Sequence, residues 1–254
     1  MTSTFRGKVA LVTGGSTGIG RATAIDFAKK GASVVVADVN IEEGNKTVAL
    51  IEKVHGNALF VQVDVSQAKG VQDMIAQTMK TYGRLDFACN NAGVEGVSAP
   101  LAEMKNSDWQ RVINVNLTGV FLCMKYEILE MLKSGGGSIV NMASILGQVG
   151  FANAAAYTAA KHGILGLTKV GALEYSAMGI RINAVCPAFI DTPMLDRAGI
   201  TSDETVRKSM EGMHPIGRLG EPEEIAKVVT WLCTPDASFV AGEGLLIDGG
   251  YVAR

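Results

Sequence analysis

A tyrosine and a lysine four residues apart are the first pair in this sequence whose types and spacing could do chemistry. Tyr157 and Lys161 follow a run of alanines, which favours a helix that begins near Ala154. Because positions four apart share one face of a helix, the phenol and the ammonium would point into the same space. A nearby cation stabilises a phenolate, so we expect the tyrosine pKa to lie below its usual ~10. The pair predicts a general acid or base, although two ordinary surface side chains would show the same spacing.

A glycine-rich turn at residues 13–20 follows the first predicted strand. Glycines let the backbone approach a phosphate group closely, and the following helix N-terminus supplies free N–H groups and a positive dipole end. The spacing Gly-x-x-x-Gly-x-Gly differs from the more general Gly-x-Gly-x-x-Gly pattern. Its place between strand and helix predicts a phosphate-binding turn with contacts at Gly14, Ser16, Thr17, Gly18, Ile19 and Gly20.

Polar residues also end the next three predicted strands. Asp38 closes the second strand, where a carboxylate can hydrogen-bond the ribose hydroxyls of NAD, unless it is an ordinary turn or cap aspartate. Asp64 and Val65 follow the third strand and could touch an adenine ring, although Asp64 could equally cap the next helix. The fourth strand ends in residues that would also suit an ordinary turn, namely Asn90, Asn91, Ala92 and Gly93.

Alternating strands and helices would bring these strand ends to one edge of a sheet. Short apolar runs at 9–13, 33–38, 58–63, 87–90, 138–142, 181–186 and 244–247 are typical of parallel strands covered on both faces. Helical patterns lie between them at 18–30, 41–54, 66–82, 107–133, 155–178 and 221–233. Right-handed crossovers of this alternation predict a Rossmann-like, doubly wound α/β fold with a mostly parallel seven-stranded sheet and helices on both faces.

Length and composition limit the class of protein. The 254 residues are 48% hydrophobic and 19% charged, and without a linker or repeat they predict a single domain, 1–254. No apolar run approaches the ~18 residues of a membrane span, and residues 1–8 lack a signal-peptide pattern, so we expect a soluble cytoplasmic protein. A net charge of −2 without a basic run argues against nucleic acid as a partner. The spacing of the four cysteines and three histidines predicts buried free thiols and no metal.

The segment 187–220 is the least regular part of the chain. It is long and polar, with several prolines and glycines and scattered methionines. Loops of this length are usually functional or disordered. Because the segment follows the sixth strand, it would lie at the carboxyl edge of the sheet, where ligands bind in such folds. We expect it to be a substrate lid.

Four motifs together resemble the short-chain dehydrogenase/reductase family, in its single-domain branch. They are residues 13–20, residues 90–93, Ser144 with Tyr157-x-x-x-Lys161, and residues 187–192, in the order and at the spacing of the family. The Tyr-x-x-x-Lys spacing argues against a divergent branch of enoyl reductases in which the lysine follows at a longer interval. Ala188 stands where many members have glycine, which should not prevent cofactor binding unless that position needs a positive φ.

The resemblance implies roles for a catalytic set. Tyr157 would be the acid/base, and Lys161 would hold the nicotinamide ribose and lower the tyrosine pKa. Ser144 would position the substrate oxygen. Asn116 would support a water-mediated proton path to the lysine, with Asn114 as the alternative residue for that role.

The resemblance also implies a nicotinamide cofactor, and Asp38 favours NAD. NADP carries an extra phosphate on the adenosine ribose, where Asp38 would place a carboxylate and Val39 and Asn40 bring no compensating charge. Alternatively, Asp38 turns away to cap the helix after Ile41 and leaves room for both cofactors. The nicotinamide end would be bound by Pro187, Ile190 and Thr192.

The implied activity is that of an NAD-dependent dehydrogenase interconverting a secondary alcohol and its ketone by hydride transfer. The alternatives are a catalytically silent NAD-binding regulator, an epimerase or dehydratase with tightly held NAD, and a 3-oxoacyl or sugar dehydrogenase of the same family. The possible substrate contacts are mostly apolar and favour a small hydrophobic or cyclic alcohol: Glu95, Ile145, Gln148, Phe151, Met194 and Met213. Glu95 could instead be a surface or interface residue.

Two long predicted helices, 107–133 and 155–178, carry apolar residues on more than one face. In related proteins these helices pack against their copies in a second subunit, and the C-terminal strand forms another interface. We therefore expect a homotetramer with two-fold symmetry. A thick helix layer in a monomer is the alternative.

Overall fold

Seven parallel strands form one sheet in the order β3-β2-β1-β4-β5-β6-β7. The computed structural model describes residues 4–253, so the first three residues of the N-terminal stretch assessed for a signal peptide lie outside it. The strands are β1 Val9–Thr13, β2 Ser33–Asp38, β3 Asn57–Gln62, β4 Phe87–Asn90, β5 Gly137–Met142, β6 Ile180–Pro187 and β7 Gly244–Ile247. The predicted fold class is confirmed. The strand order reverses between β1 and β4, which opens a crevice at their carboxyl ends.

Helices cover both faces of the sheet. They are α1 Gly18–Lys29, α2 Ile41–Lys53, α3 Ala68–Tyr82, α4 Asn106–Ile113, α5 Gly119–Lys133, α6 Ala155–Tyr175, α7 Pro193–Arg197, α8 Glu204–Gly212 and α9 Pro222–Leu232. The predicted helices coincide with observed ones to within one or two residues at most ends. The exceptions are the 107–133 helix, which is interrupted, and the 155–178 helix, whose last residues form a 3₁₀ turn at Ser176–Met178.

The alternating side chains of the strands build two cores, one on each face of the sheet. On one face, Leu11 and Val35 belong to a cluster that includes the buried side chains of α3, α5 and α6. On the other, Val12 and Val36 pack with Phe27 of α1 and with buried side chains of α9. All four cysteines are buried free thiols, as predicted.

A π-helical segment, Asn114–Thr118, joins α4 to α5. The apolar pattern runs through it without a break, so the sequence predicts one continuous helix. The rod Asn106–Lys133 is long and apolar enough to span a membrane by length and composition alone, with a mean hydropathy of 1.3 in its most apolar window. Half of that window is buried inside the molecule.

The segment 187–220 is more regular than predicted, because it contains α7 and α8. Helix α7 begins with Pro193 at its first position, where the missing N–H costs nothing. Asp203 caps α8 by accepting hydrogen bonds from the N–H groups of Thr205 and Val206. Neither helix has a fully buried side chain, so neither leaves the apolar periodicity by which longer helices are predicted.

Candidate active site

A cavity of about 300 Å³ opens at the carboxyl edge of the sheet. Its walls come from the residues after β4, β5 and β6, the first turns of α1 and α6, and the segment 187–220. These elements bring together nine of the predicted site residues, namely Ile19, Asn91, Gly93, Ser144, Tyr157, Lys161, Pro187, Ile190 and Thr192. The remaining predicted site residues lie outside its lining, in the glycine-rich turn, at the ends of β2 and β3, after β4 and in the π segment.

Tyr157, Lys161 and Ser144 form the polar centre of this cavity. The Lys161 ammonium lies 5.2 Å from the centre of the Tyr157 ring, and its Nζ donates to the Met142 carbonyl at 2.6 Å. Ser144 follows β5, accepts a hydrogen bond from the Leu146 N–H at 3.2 Å and interacts with the Tyr157 hydroxyl. The end of β5 and the first turns of α6 thus place a hydroxyl, a phenol and an ammonium around one space.

The pKa of Tyr157 moves opposite to the sequence-based expectation. Burial raises it to about 12, and the charge of Glu95 acts in the same direction, while the hydrogen bond with Ser144 acts against them. Burial also lowers the pKa of Lys161 to about 8. The expected net lowering of the tyrosine pKa is therefore wrong for the free protein. The physical reason is that desolvation of the phenolate dominates, and the Lys161 ammonium donates to a backbone carbonyl.

Asn116 and Asn114 lie in different surroundings, although both belong to the π segment. Asn116 is fully buried: its Oδ1 accepts from the Val94 N–H at 2.8 Å, and its Nδ2 donates to the Val94 carbonyl at 2.9 Å. Asn114 accepts from the side chain of Gln110 near the surface. Asn116 thus holds the loop that follows β4 at the cavity wall. Its role in a proton path stays a prediction.

The glycine-rich turn has the shape that a phosphate group needs. A Cβ on Gly20 would lie 2.0 Å from the Gly14 carbonyl oxygen, and Gly14 itself has a φ of +62°, so both positions require glycine. Thr17 precedes α1 without a side-chain cap, which leaves the first N–H groups of Gly18 and its neighbours free of side-chain acceptors. These donors fit the pyrophosphate of a dinucleotide.

Asn91 is the clamp of this turn, a role that the sequence analysis did not assign to it. Its Nδ2 donates to the carbonyls of Thr13 and Gly14, both at 3.0 Å. The Thr13 hydroxyl in turn accepts from the N–H groups of Asn91 and Ala92, both at 3.1 Å. The end of β4 and the turn after β1 are therefore one rigid unit.

Asp38 points toward the glycine-rich turn. Its Oδ2 accepts from the Ser16 N–H at 3.1 Å and from the Ser16 hydroxyl at 2.6 Å, and its Oδ1 accepts from the Asn40 N–H at 3.0 Å. Asn40 caps α2 by accepting from the Glu43 N–H at 3.1 Å. The alternative in which Asp38 caps α2 is therefore wrong. The carboxylate stands at the end of β2, where the fold family binds a ribose.

Asp64 and Val65 differ in their access to solvent. Asp64 is exposed and accepts from the Ser66 N–H at 2.9 Å, while α3 begins later, after Gln67, so Asp64 is not its N-cap. Val65 is 6% exposed and packs against Gly119 at the start of α5. The predicted contact with adenine stays a prediction for both residues.

The substrate side of the cavity is mostly apolar. Of the predicted contacts, Glu95, Ile145, Phe151 and Met194 line it, whereas Gln148 and Met213 do not. Gln148 donates instead to the Gly244 carbonyl at the start of β7, at 3.2 Å. Further apolar residues line the cavity without having been predicted as substrate contacts. Their available signal was a place in segment 187–220 or next to Ser144: Leu146, Phe189, Leu195, Ala198 and Ile200.

Glu95 is tied to the segment 187–220. Its two carboxylate oxygens accept from Arg197 at the end of α7, at 2.9 and 3.3 Å. Burial is the largest single influence and tends to raise the Glu95 pKa, but the hydrogen bond from Arg197, a backbone hydrogen bond and the charges of Arg197 and Arg111 together outweigh it, so the pKa lies below its ordinary value. Among the residues that the structure describes, Glu95 is the one carboxylate that lines the cavity, and its charge is paired with Arg197.

Comparisons with known proteins agree with this arrangement. A family model described as "Enoyl-(Acyl carrier protein) reductase" matches residues 14–252. Cyclohexanol dehydrogenase of Acinetobacter sp. (strain SE19) is 44% identical over 254 residues, covering 100% of this chain and 98% of that protein. The crystal structure of levodione reductase superimposes with a TM-score of 0.94 at 39% identity, covering 98% of this chain and 99% of the other.

A further solved structure bears on the cofactor. It is from Agrobacterium tumefaciens, is assigned as a 2-deoxy-d-gluconate 3-dehydrogenase and contains bound NADP. It has a TM-score of 0.91 at 35% identity and covers 99% of both chains. Similar folds therefore accept the phosphorylated nicotinamide dinucleotide as well.

Proposed function

Because this chain belongs to the short-chain dehydrogenase/reductase family, we propose that it is an NAD(H)-dependent oxidoreductase that interconverts a small cyclic secondary alcohol and its ketone. The observation that carries the proposal is the convergence of Ser144, Tyr157 and Lys161 on one apolar cavity. A binding protein without catalysis would have no use for a phenol, a hydroxyl and an ammonium around the same space.

Different residues of the chain would bind different parts of the cofactor. The free N–H groups at the start of α1 would bind the pyrophosphate, Asp38 the adenosine ribose and Lys161 the nicotinamide ribose. Thr192 would bind the carboxamide. The chemistry that the cofactor supplies when bound is hydride transfer to or from the carbon of the substrate.

Proton transfer falls to Tyr157. In oxidation, Ser144 would hold the substrate oxygen while Tyr157 takes its proton, and in reduction the phenol would return that proton to the carbonyl oxygen. Since burial opposes the phenolate, the tyrosine is held as a proton donor in the free protein. The ammonium of Lys161 at 5.2 Å from the ring is the nearby charge that would stabilise the phenolate during oxidation.

The cavity favours a ring of carbon atoms as the substrate. Its walls beyond the catalytic centre are mostly apolar, and the carboxylate of Glu95 is already paired with Arg197. A sugar would need several polar partners for its hydroxyls, and burying them without partners is costly. The relative named for cyclohexanol, at 44% identity over the full chain, supports the same choice.

We propose that segment 187–220 closes the cavity as a lid. Met194, Leu195 and Ile200 turn toward the cavity, and the Glu95–Arg197 ion pair links the segment to the loop after β4. A second ion pair, between Arg207 and Asp191, ties α8 to the beginning of the segment. Closure over the substrate would exclude water from the hydride-transfer step.

An assay with purified protein tests the proposed function. Cyclohexanol, an open-chain secondary alcohol of equal carbon number and a sugar alcohol are each mixed with NAD, and NADH absorbance is followed. We expect the highest kcat/KM for cyclohexanol and the lowest for the sugar alcohol. NAD binding without turnover of any alcohol or ketone would support a regulator instead. Conversion of substrate without release of NADH would support an epimerase or dehydratase.

A homotetramer is expected from two separate apolar surfaces. On the outer faces of α5 and α6, Phe121, Leu129, Val170 and Leu173 are exposed, the last to 86%. At the other surface, Leu246 of β7 is 37% exposed and Phe239, shortly before β7 in the chain, is fully exposed. Monomers rarely expose patches of this kind, and two such faces per chain allow two kinds of two-fold contact.

Light scattering at micromolar concentration checks the tetramer. Val170→Glu should place a charge in the α5/α6 contact and leave dimers that use the other surface. The matched control is Val54→Glu, which adds the same charge to an exposed valine at the end of α2 and should leave the tetramer intact. A monomer mass for the unaltered protein would refute the assembly.

A further inference from the structure

A carboxyl group in the core is hydrogen-bonded to the residue that precedes Asn91 of the site. Glu127 of α5 is fully buried, and in the described residues its only hydrogen-bond partner is the amide of Asn90, whose Nδ2 donates to Oε2 at 3.0 Å. Asn90 is the last residue of β4 and directly precedes the turn clamp Asn91. A buried carboxylate normally needs a cation or several donors, and Glu127 has neither.

Hydrogen bonds fix the orientation of the amides beside Glu127. The Nδ2 of Asn141 donates to the Thr168 hydroxyl at 2.9 Å and to the Met124 sulfur at 3.3 Å. Because the sulfur can only accept, this side of the amide is the Nδ2 and its Oδ1 faces Asn90. Asn90 therefore presents its Nδ2, which donates to Asn141 Oδ1 at 3.1 Å as well as to Glu127. Reversing the Asn90 amide would place its Oδ1 against the Oδ1 of Asn141, and this repulsion sets the direction of the hydrogen bonds.

Two buried oxygens of this network lack a donor. They are Asn90 Oδ1 and Glu127 Oε1, the second oxygens of the same two hydrogen-bonded groups. If the carboxyl group is ionised, neither oxygen can donate a hydrogen bond to the other, and both stay unpaired. A single proton on Oε1 turns one of them into a donor, and the unpaired oxygen of Asn90 belongs to the amide that already pairs with this carboxyl group.

We propose that Glu127 is a neutral carboxylic acid in the folded protein and is a positioning residue, which fixes Asn90 and Asn141 and, through them, the ends of β4 and β5 at the active site. The structural half of this proposal stands alone. Its catalytic half rests on the proposed function.

The network reaches two supports of the site, each through one covalent neighbour. Asn91, after Asn90, clamps the glycine-rich turn. Met142, after Asn141, provides the carbonyl that receives the Lys161 ammonium at 2.6 Å. Thr168 lies two turns after Lys161 on α6. Loss of the acid would therefore loosen the supports of both the cofactor turn and the lysine.

The surroundings of Glu127 favour its neutral form. The titratable groups that interact with it are the buried thiols Cys89 of β4 and Cys123 of α5, and both are themselves kept protonated by burial. Asn141 of β5 and Thr168 of α6 are uncharged, and the charge of Lys161 is directed to Met142. Burial raises the pKa of Glu127 to about 8.

The raised pKa gives the proposal a definite dependence on pH. In the unfolded chain, glutamate loses its proton near its ordinary pKa of 4.5, whereas in the folded protein it keeps the proton to about 8. The folded state thus binds more protons across this window. The stability that Glu127 contributes is complete below the window and is lost progressively as the pH rises through it.

Three variants test the proposal. Glu127→Gln replaces the acid by a neutral amide that keeps one donor and one acceptor, and Glu127→Met keeps the approximate shape but offers neither. Glu130→Gln, one turn later on the same helix, is the matched control, because Glu130 pairs with Lys133 near the surface. Melting temperature, kcat and the KM for NAD are measured between about pH 4 and about pH 9, on either side of the titration window.

We expect Glu127→Gln to keep kcat within about 2-fold of wild type and to flatten the fall in melting temperature that wild type and Glu130→Gln show across the window. Glu127→Met should melt lower at every pH and lose about 10-fold or more in kcat, and Gln at the same position should rescue both losses. In wild type, infrared spectroscopy should show the carbonyl band of a buried protonated carboxyl at neutral pH, and Glu127→Gln should remove it.

Any of three results would overturn the proposal. If the infrared band is absent from wild type, or the melting curve of Glu127→Gln follows the same pH slope as wild type, Glu127 is ionised. If Glu127→Met matches Glu127→Gln in kcat and in the KM for NAD, the residue has no positioning role. The melting and infrared measurements need no substrate, so they decide protonation even if the proposed reaction fails, and the infrared measurement on wild type needs no variant to fold.

Discussion

Tyr157→Phe should lower kcat by about 100- to 10,000-fold, because the phenol is the only group placed to exchange a proton with the substrate oxygen. The change removes one oxygen and keeps the ring, so the contact between the ring and Lys161 is preserved. NAD binding should stay close to that of wild type. Steady-state kinetics with cyclohexanol and fluorescence titration with NADH measure the two effects separately.

Two other variants bracket this result. Lys161→Ala should weaken both turnover and NADH binding, since it removes a cofactor contact together with the charge beside the phenol. Tyr126→Phe is the matched control, because the Tyr126 hydroxyl accepts from Gln72 at 2.7 Å, away from the cavity, and its loss should leave kcat unchanged. Near wild-type kcat in Tyr157→Phe would contradict the assignment of Tyr157 as acid/base.

The second large effect concerns the choice between NAD and NADP. The Asp38 carboxylate is held at the end of β2 by Ser16 and Asn40, at distances of 2.6 to 3.1 Å. A phosphate charge about 4 Å away would cost about 4 kcal/mol at an effective dielectric of ~20, and less where water reaches the pair. Since ~1.4 kcal/mol is a tenfold change in affinity, we expect kcat/KM to favour NAD by ~100-fold or more.

Exchange of charge at this position should reverse the preference. Asp38→Ala combined with Val39→Arg removes the carboxylate and adds a cation at a residue that is 61% exposed and free to accept a longer side chain. Asp64→Ala, which removes a carboxylate after the neighbouring strand, should keep the preference for NAD. Equal kcat/KM for NAD and NADP in the unaltered protein would show that Asp38 does not read the ribose.

The sheet and the longer helices are predictable because burial leaves its mark on the sequence. Strands covered on both faces need continuous apolar runs, such as β2 with its buried Val34, Val35 and Val36. Helices α7 and α8 leave no such mark, because they bury no complete side chain. Their signals are local ones, a proline at the first position and an aspartate cap.

The cavity could be located from the sequence, but its electrostatics could not. Parallel strands bring their carboxyl ends to one edge, so Asp38, Asn91 and Ser144 could be placed at that edge in advance. The pKa of Tyr157 depends on how much protein surrounds the phenol, which only the folded structure sets. Glu127 went unnoticed for the same reason, because a glutamate in a helical pattern gives no sign that its carboxyl group is buried.

The π segment Asn114–Thr118 rotates the side chains of α5 about the helix axis relative to those of α4. A π turn holds one residue more than an α turn, so the faces of α4 and α5 are offset from those of an uninterrupted α-helix. Helix α5 can therefore direct Cys123 and Glu127 toward the sheet while Asn116, inside the wider turn, keeps both of its hydrogen bonds to Val94. In one regular helix, the rotation that suits the packing of α5 would also set the direction of Asn116. The inserted residue lets the two directions differ.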